Sequence, residues 1–232
     1  MPDTPIRRLA STPFNVELWR VDLARAPVTP ALLSRAELAR AARFVFETDR
    51  QKYLAGHCAL AGLVAARLSV PCGHLEFQLG PHDKPSVSPV YDCVFNMSHC
   101  DDVALIGIAV GLPHGVEIGV DIEPVRGVSD AHALGAPHFH AAEQSELAAC
   151  DPATASLAFL RGWTRKEACL KAIGSGLSIH PSTFHCGLRV HRGSTEVDGV
   201  TVEFDTLDVG AEHIAAIAIT RPGMGAARTI VH

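Results

Sequence analysis

Residues 116–123, VEIGVDIE, alternate apolar and polar side chains without a break, the period of a half-buried β-strand. Val116, Ile118, Val120 and Ile122 would enter a core, leaving Glu117, Gly119, Asp121 and Glu123 on the other face. Residues two apart on a strand stand side by side, which makes Asp121 and Glu123 neighbours. Two carboxylates that close repel unless a proton or a cation sits between them. The strand alone leaves two readings open, a solvated polar rim or a cation site.

A frame for such a strand is legible on both sides of it. Residues 15–23 (NVELWRVDL) alternate as a first strand, and Pro27 and Pro30 close it. Residues 31–68 carry a helical pattern with a break near Thr48 and Asp49, where Asp49 is a suitable N-cap. Its second segment is rich in Ala and Leu, the composition of a buried helix. Pro71-Cys72-Gly73 ends that helix, and residues 76–79 form a short strand before the turn-rich loop 80–89. Residues 94–100 and 103–110 are strands, the second apolar throughout and so fully buried. Beyond Glu123 a loop runs to about Gly135, a short helical region spans 138–150, and Asp151-Pro152 caps a helix that ends at Gly174 and Gly176. Strands follow at 186–191, 197–207 and 213–220, with turns at Arg192-Gly193-Ser194 and Asp198-Gly199. Each half thus holds a long helix and a late buried strand. This predicts two similar α/β halves joined near 111–115.

Composition narrows the setting. A chain of 232 residues, 47% hydrophobic and 19% charged, can bury one large core or two small ones. A net charge of −5 without a basic run argues against nucleic-acid binding. Seven cysteines without CxxC or zinc-type spacing suggest reduced thiols. The N-terminus MPDTPIRR has no apolar signal core, and no apolar run approaches the ~20 residues of a membrane span. A cytoplasmic protein without a membrane partner is expected.

Three further features bear on the acidic strand. In LRGWTRKEACLK, Trp163, Glu167 and Lys171 recur every four residues, one slowly turning stripe of a helix. Glu167 and Lys171 are also spaced as an ordinary surface ion pair. Ser98-His99 stands where a strand turns, a usual place for functional groups, although adjacent residues do not aim at each other as a catalytic dyad does. Lys84 lies alone in its loop, and Arg40, Arg43, Arg50 and Lys52 gather at the first helix–helix junction.

In order, FNMSHC (95–100), GVDIE (119–123) and WTRKEACLK (163–171) followed by GSGL (174–177) resemble the 4′-phosphopantetheinyl transferases of the two-domain Sfp type. A looser similarity extends upstream through DRQKYLAGH (49–57) and DKP (83–85). Two positions depart from that pattern: Cys100 replaces a Ser, and Asp83 stands where Gly is common. The resemblance implies an α+β fold of two α/β subdomains, 1–113 and 114–232, in pseudo-twofold relation with the active site in the cleft between them. It implies transfer of the phosphopantetheine arm of coenzyme A to a serine of an apo acyl or peptidyl carrier protein, with release of adenosine 3′,5′-bisphosphate.

By the same resemblance Asp121, Glu123 and Glu167 hold Mg²⁺, with Mn²⁺ as an alternative, since hard oxygen ligands suit a cation on a diphosphate. Glu167 is a metal ligand, the base that takes the serine proton, or both. Lys171 is the lysine on the diphosphate. Ser98 and His99 contact the phosphates, and Lys84, Arg40 and Lys52 form the 3′-phosphate and adenine pocket. Trp163 packs, Glu117 is not a ligand, and Glu143 either supports the site or lies on a helix surface. Arg126, Arg161 and Arg165 are candidate carrier contacts, and one chain suffices for the cleft, which implies a monomer. A metal-dependent phosphohydrolase and a non-catalytic coenzyme A-binding module are the competing readings.

Overall fold

The structure is a computed structural model that describes residues 4–9, 13–71, 74–80 and 82–221. The first half forms an antiparallel sheet from β1 (Ile6–Arg8), β2 (Glu17–Asp22), β5 (Cys93–Cys100) and β6 (Val103–Val110), ordered β1-β2-β6-β5. Helices α1 (Arg35–Ala41) and α2 (Glu47–Leu68) and a hairpin of β3 (Gln78–Leu79) and β4 (Pro85–Ser86) lie between β2 and β5. The second half forms another antiparallel sheet from β7 (Ile118–Pro124), β8 (Arg192–Val197), β9 (Val200–Leu207) and β10 (His213–Arg221), ordered β7-β10-β9-β8. Between β7 and β8 come α3 (Ala131–His138), α4 (Ala141–Ala148) and α5 (Pro152–Ile173).

The period-2 pattern of each strand sorts its side chains into three stacked cores. Even residues of β6 (Ala104, Ile106, Ile108) meet Ala55, Ala59, Leu60 and Val64 of α2. Its odd residues Val103 and Leu105 instead join Ile118, Val120 and Ile122 of β7 with Ala215, Ile217 and Ile219 of β10. The alternate residues Ala216 and Ala218 of β10 pack with Val202, Phe204 and Ala168, Leu170 and Ala172 of α5. The order is helix, sheet, sheet, helix, an α+β architecture of two α/β halves around a shared core. Strands β5 and β7, each paired on one side only, run beside each other where the halves meet.

The face of β7 opposite this core is not a solvated rim. Helix α5 lies directly on it, made possible by Gly119: a Cβ there would sit 2.1 Å from the Ala168 carbonyl oxygen and 2.3 Å from the Ala172 nitrogen. Asp121 is buried beside that contact.

Several expectations are corrected. Asp49 is not an N-cap. Helix α2 starts three residues earlier, behind Phe46 as its N-cap, and Glu47 and Asp49 fall in its first turn, where negative charge meets the positive helix end. The loop expected up to Gly135 contains the start of α3, capped by the Asp130 side chain on the Ala133 N–H. Residues 186–191 are not a strand, because carboxylates take their N–H groups. Glu143 accepts from Cys186 and Gly187, and Glu146 from Leu188. The turn expected at Arg192-Gly193-Ser194 opens β8 instead, while Asp198-Gly199 does turn, at positive φ of 51° and 76°. Cys72 and Gly73 lie outside the described residues. The described cysteines, Cys58, Cys93, Cys100, Cys150, Cys169 and Cys186, are free thiols. No described helix is long and apolar enough to cross a membrane.

Candidate active site

The seam between β5 and β7 is closed by side chains rather than by a backbone ladder. Asn96 Oδ1 on β5 accepts the Val120 N–H of β7 at 2.9 Å. Two residues along the same face of β5, Ser98 Oγ donates to Asp121 Oδ1 at 2.8 Å. From α5, Lys171 Nζ donates to both, 2.6 Å from Asp121 Oδ1 and 2.8 Å from Ser98 Oγ. One strand from each half and a helix therefore meet in a triangle of Ser98, Asp121 and Lys171. Asp121 is only 4% exposed, and its second oxygen, Oδ2, is buried with no hydrogen-bond partner among the described residues. A buried carboxylate oxygen left unpaired is costly, so this position favours an added cation or donor.

Glu123 and Glu167 complete an acidic group. Burial pushes the Glu123 carboxyl above its usual range and the Asp121 charge adds to it, while the Trp163 side chain, Arg126 and Lys171 pull it back. Burial likewise raises Glu167, with the charges of Asp121 and Glu123 in the same sense and Lys171 opposing. The three carboxylates thus feel one another, and Lys171 is the cation common to all of them. Among the described residues, no group of three or more His, Cys, Asp or Glu side chains is arranged to hold a metal ion by itself. Cys100, next to this group, has its thiol pushed up to about 12 by burial and by the charges of Glu123, Asp101 and Asp121. It stays neutral, so its replacement of a serine adds no charge.

Separate cavities lie in this part of the fold. The first, about 270 Å³, is lined by Lys84, Asn96, Met97, Glu167, Lys171 and Gly174 among others. His99, on the opposite face of β5 from Asn96 and Ser98, lines a second of about 330 Å³ with Phe44, Lys52 and Tyr53. Burial and then the charges of Lys171, His57 and Lys52 hold the His99 imidazole below its ordinary value. Lys52 is held by Asp102 at 2.8 Å. Arg40 and Arg43 line an outer cavity of about 520 Å³ with Phe44 and Asp83, and the Arg40 guanidinium lies 5.8 Å from the Tyr53 ring centre.

Of the residues singled out from sequence, the structure brings Ser98, Asp121, Glu123, Glu167 and Lys171 together, with Lys84 on the same cavity. His99 and Lys52 share another cavity, and Arg40 lines a third. Glu117 faces Lys84 at 2.8 Å. Glu143 is not a helix-surface residue. It is fully buried, 2.7 Å from the equally buried Lys166, and accepts the N–H groups of His140, Cys186 and Gly187. Arg165 does not contact a partner either: it is buried, donating to Thr206 Oγ1 at 2.9 Å and Gly187 O at 2.6 Å. Arg126 is exposed and Arg161 partly so. Sequence reasoning passed over Asn96 as a functional residue, although its spacing of two from Ser98 places both on one face.

Acidic side chains pressed together at a seam with a lysine bound among them, beside cavities lined by both acids and bases, form the kind of polar site an enzyme builds. Comparison with known sequences makes this specific. The model of the 4′-phosphopantetheinyl transferase N-terminal family matches residues 17–110, and that of the 4′-phosphopantetheinyl transferase superfamily matches residues 117–218. The 4′-phosphopantetheinyl transferase HetI of Nostoc sp. is 32% identical over 77% of this chain and 76% of its own. AcpT, a 4′-phosphopantetheinyl transferase of Escherichia coli, is 32% identical over 76% of this chain and 83% of its own. The mouse L-aminoadipate-semialdehyde dehydrogenase-phosphopantetheinyl transferase is 25% identical over 94% and 79%. The chain belongs to the 4′-phosphopantetheinyl transferase superfamily and is a transferase enzyme.

Proposed function

We propose that this enzyme, of the two-domain Sfp type, moves the 4′-phosphopantetheine arm of coenzyme A onto a serine hydroxyl of an apo acyl or peptidyl carrier protein. The observation that carries the reading is the buried triangle of Ser98, Asp121 and Lys171, with Asp121 Oδ2 unsatisfied beside Glu123 and Glu167. An acidic group that is open rather than a closed cage suits Mg²⁺, which takes one or two carboxylates and fills its shell with water and substrate phosphates. Asp121, Glu123 and Glu167 would hold it, with Mn²⁺ as a substitute. When bound there, the ion supplies Lewis-acid stabilisation of charge on the diphosphate.

The residues of the chain do the rest. Lys171, already placed by Ser98 and Asp121, turns its ammonium to the diphosphate and offsets charge that develops there. His99 and Lys52 receive the phosphates of the nucleotide end, and Arg40 meets it at the rim, with 1–113 as the nucleotide side and 114–232 carrying the carboxylates. Glu167 takes the proton of the carrier serine, directly or through water. The serine oxygen bonds to the β-phosphorus, the bond from that phosphorus to the bridging oxygen breaks, and adenosine 3′,5′-bisphosphate leaves with the bridging oxygen. Exposed Arg126 at the exit of β7 is the candidate for an acidic carrier surface. Both halves lie on one chain, which favours a monomer, and its free thiols suit the cytoplasm.

The test is incubation with coenzyme A, Mg²⁺ and several apo carrier proteins, read by intact-protein mass. A carrier gain of one phosphopantetheine arm, lost in Asp121→Asn and Glu167→Gln, is expected. Nucleotide release without carrier modification would identify a phosphohydrolase instead.

A further inference from the structure

Lys84 sits on the active-site cavity, yet its ammonium is already spoken for. It donates to Ile118 O at 3.0 Å and Ala172 O at 3.2 Å, and it pairs with Glu117 Oε2 at 2.8 Å. An ammonium has three protons, so these acceptors use them all. The backbone of Glu117 is fixed, its N–H donating to Thr220 Oγ1 at 2.8 Å and its carbonyl accepting the Thr220 N–H at 2.9 Å, while its side chain is half-exposed. Ala172 contributes a carbonyl from the last turn of α5, a group without an intrahelical partner and at the helix end that favours a cation. The lysine is presented by a tight loop, closed by Gly80 N–H to Lys84 O at 2.9 Å and Asp83 N–H to Gly80 O at 3.1 Å. Its alkyl chain lies against Gly174, where a Cβ would be 3.3 Å from Lys84 Cδ.

We infer that Lys84, braced by Glu117, is a positioning residue that fixes the spacing between the strand carrying Asp121 and the helix carrying Glu167 and Lys171. The anchor points bracket the chemistry. Ile118 precedes Asp121 by three residues on β7, and Ala172 follows Lys171 directly on α5. A phosphate could reach the ammonium only by displacing a carboxylate or a carbonyl from it. Lys84 therefore acts through Asp121 and Lys171 and not by holding the nucleotide.

The inference rests on the transfer reaction proposed above, and its test separates the two. Lys84→Met should lower kcat at least tenfold while KM and the calorimetric Kd for coenzyme A stay within twofold. Glu117→Ala gives opposite signs for the alternatives. A positioning lysine that loses its brace lowers kcat, whereas a phosphate ligand freed from a carboxylate would bind coenzyme A more tightly. A tenfold weaker coenzyme A complex with unchanged kcat in Lys84→Met, or tighter binding in Glu117→Ala, overturns the inference. If the wild-type chain modifies no carrier, the proposed function falls, and amide hydrogen exchange decides the tether alone. Faster exchange at 118–121 and 170–174 in Lys84→Met supports it; unchanged exchange there overturns it.

Discussion

Gly119→Ala is the sharpest single perturbation of this site, because it adds one methyl group where the backbones of β7 and α5 touch. The new Cβ would lie 2.1 Å from Ala168 O, 2.3 Å from Ala172 N and 2.8 Å from Lys171 C, all backbone atoms of one helix. Ordinary contact begins at 3.4 Å, so strand and helix must separate by more than an ångström. Overpacking of this kind costs about 1–3 kcal/mol. In a chain of this size that lowers Tm by roughly 2–12 °C. The effect on catalysis should be larger than the effect on stability. Asp121, two residues along, loses its 2.6 Å contact with Lys171 as the helix withdraws, and a misplacement of about 1 Å costs on the order of a hundredfold in rate. Thermal unfolding and carrier-modification rates measure the two effects separately. Gly62→Ala is the control: Gly62 lies within α2 with nothing within 4 Å of an added Cβ. Alanine there should stabilise the protein by about 0.5–1 kcal/mol and leave the rate unchanged. A Gly119→Ala protein with wild-type Tm and wild-type rate would refute the idea that this close approach sets the site.

Other parts of the chain give separate tests. Lys166→Met strips Glu143 of its buried partner, and breaking one side of such a pair costs about 3–5 kcal/mol; urea unfolding should show that loss. The Glu37 carboxyl lies below its usual range: burial, the largest influence, raises it, but bonds from His57 and Ser34 outweigh burial. A carboxyl depressed in the folded state adds stability above its unfolded value near 4.5, lost as pH falls through the lower folded value. Glu37→Gln should therefore flatten the acid limb of a stability–pH profile below pH 4.5 relative to wild type. Asp83 holds a positive φ of 58°, a conformation glycine adopts without steric cost. Asp83→Gly should leave Tm unchanged or raise it slightly, and a large fall would show that the aspartate side chain has a structural role.

What the sequence disclosed follows the reach of its periodicities. The two-residue period of 116–123 placed Ile118, Val120 and Ile122 in the core, and the four-residue recurrence of Trp163, Glu167 and Lys171 marked one stripe of α5. Between the positions of that stripe, spacing is silent about what covers them. Thr164, Arg165 and Lys166 look like an exposed polar run, yet all three are buried. Lys166 Nζ donates to Pro181 O at 2.8 Å, and Arg165 donates to Gly187 O and Thr206. Their partners lie 15 to 41 residues away, beyond any local pattern. The same limit explains residues 186–191, where alternation suggested a strand. The carboxylates that claim those N–H groups, Glu143 and Glu146, come from a helix some forty residues earlier, and nothing in the segment announces them.

The division of labour within the motifs follows from where the two halves meet. Edge strands β5 and β7 do not hydrogen-bond to each other through their backbones. Exposed strand edges leave N–H and C=O groups seeking partners, and here side chains answer, Asn96 for the Val120 N–H and Lys84 for the Ile118 C=O, while Ser98 reaches across to the Asp121 carboxylate. Two of the groups that join the halves, Asn96 and Lys84, also line the cavity. A site built this way couples its chemistry to the packing of the seam, because any shift between the halves is first a change in these bonds. That coupling gives Asn96 a measurable role although it bears no charge. Asn96→Ala leaves the buried Val120 N–H unpaired, which costs about 1–3 kcal/mol, and should lower transfer through Asp121. Asn96→Asp retains an oxygen acceptor for the Val120 N–H and should restore stability more than Ala does. Equal loss in both variants would show that the amide does more than accept that one hydrogen bond.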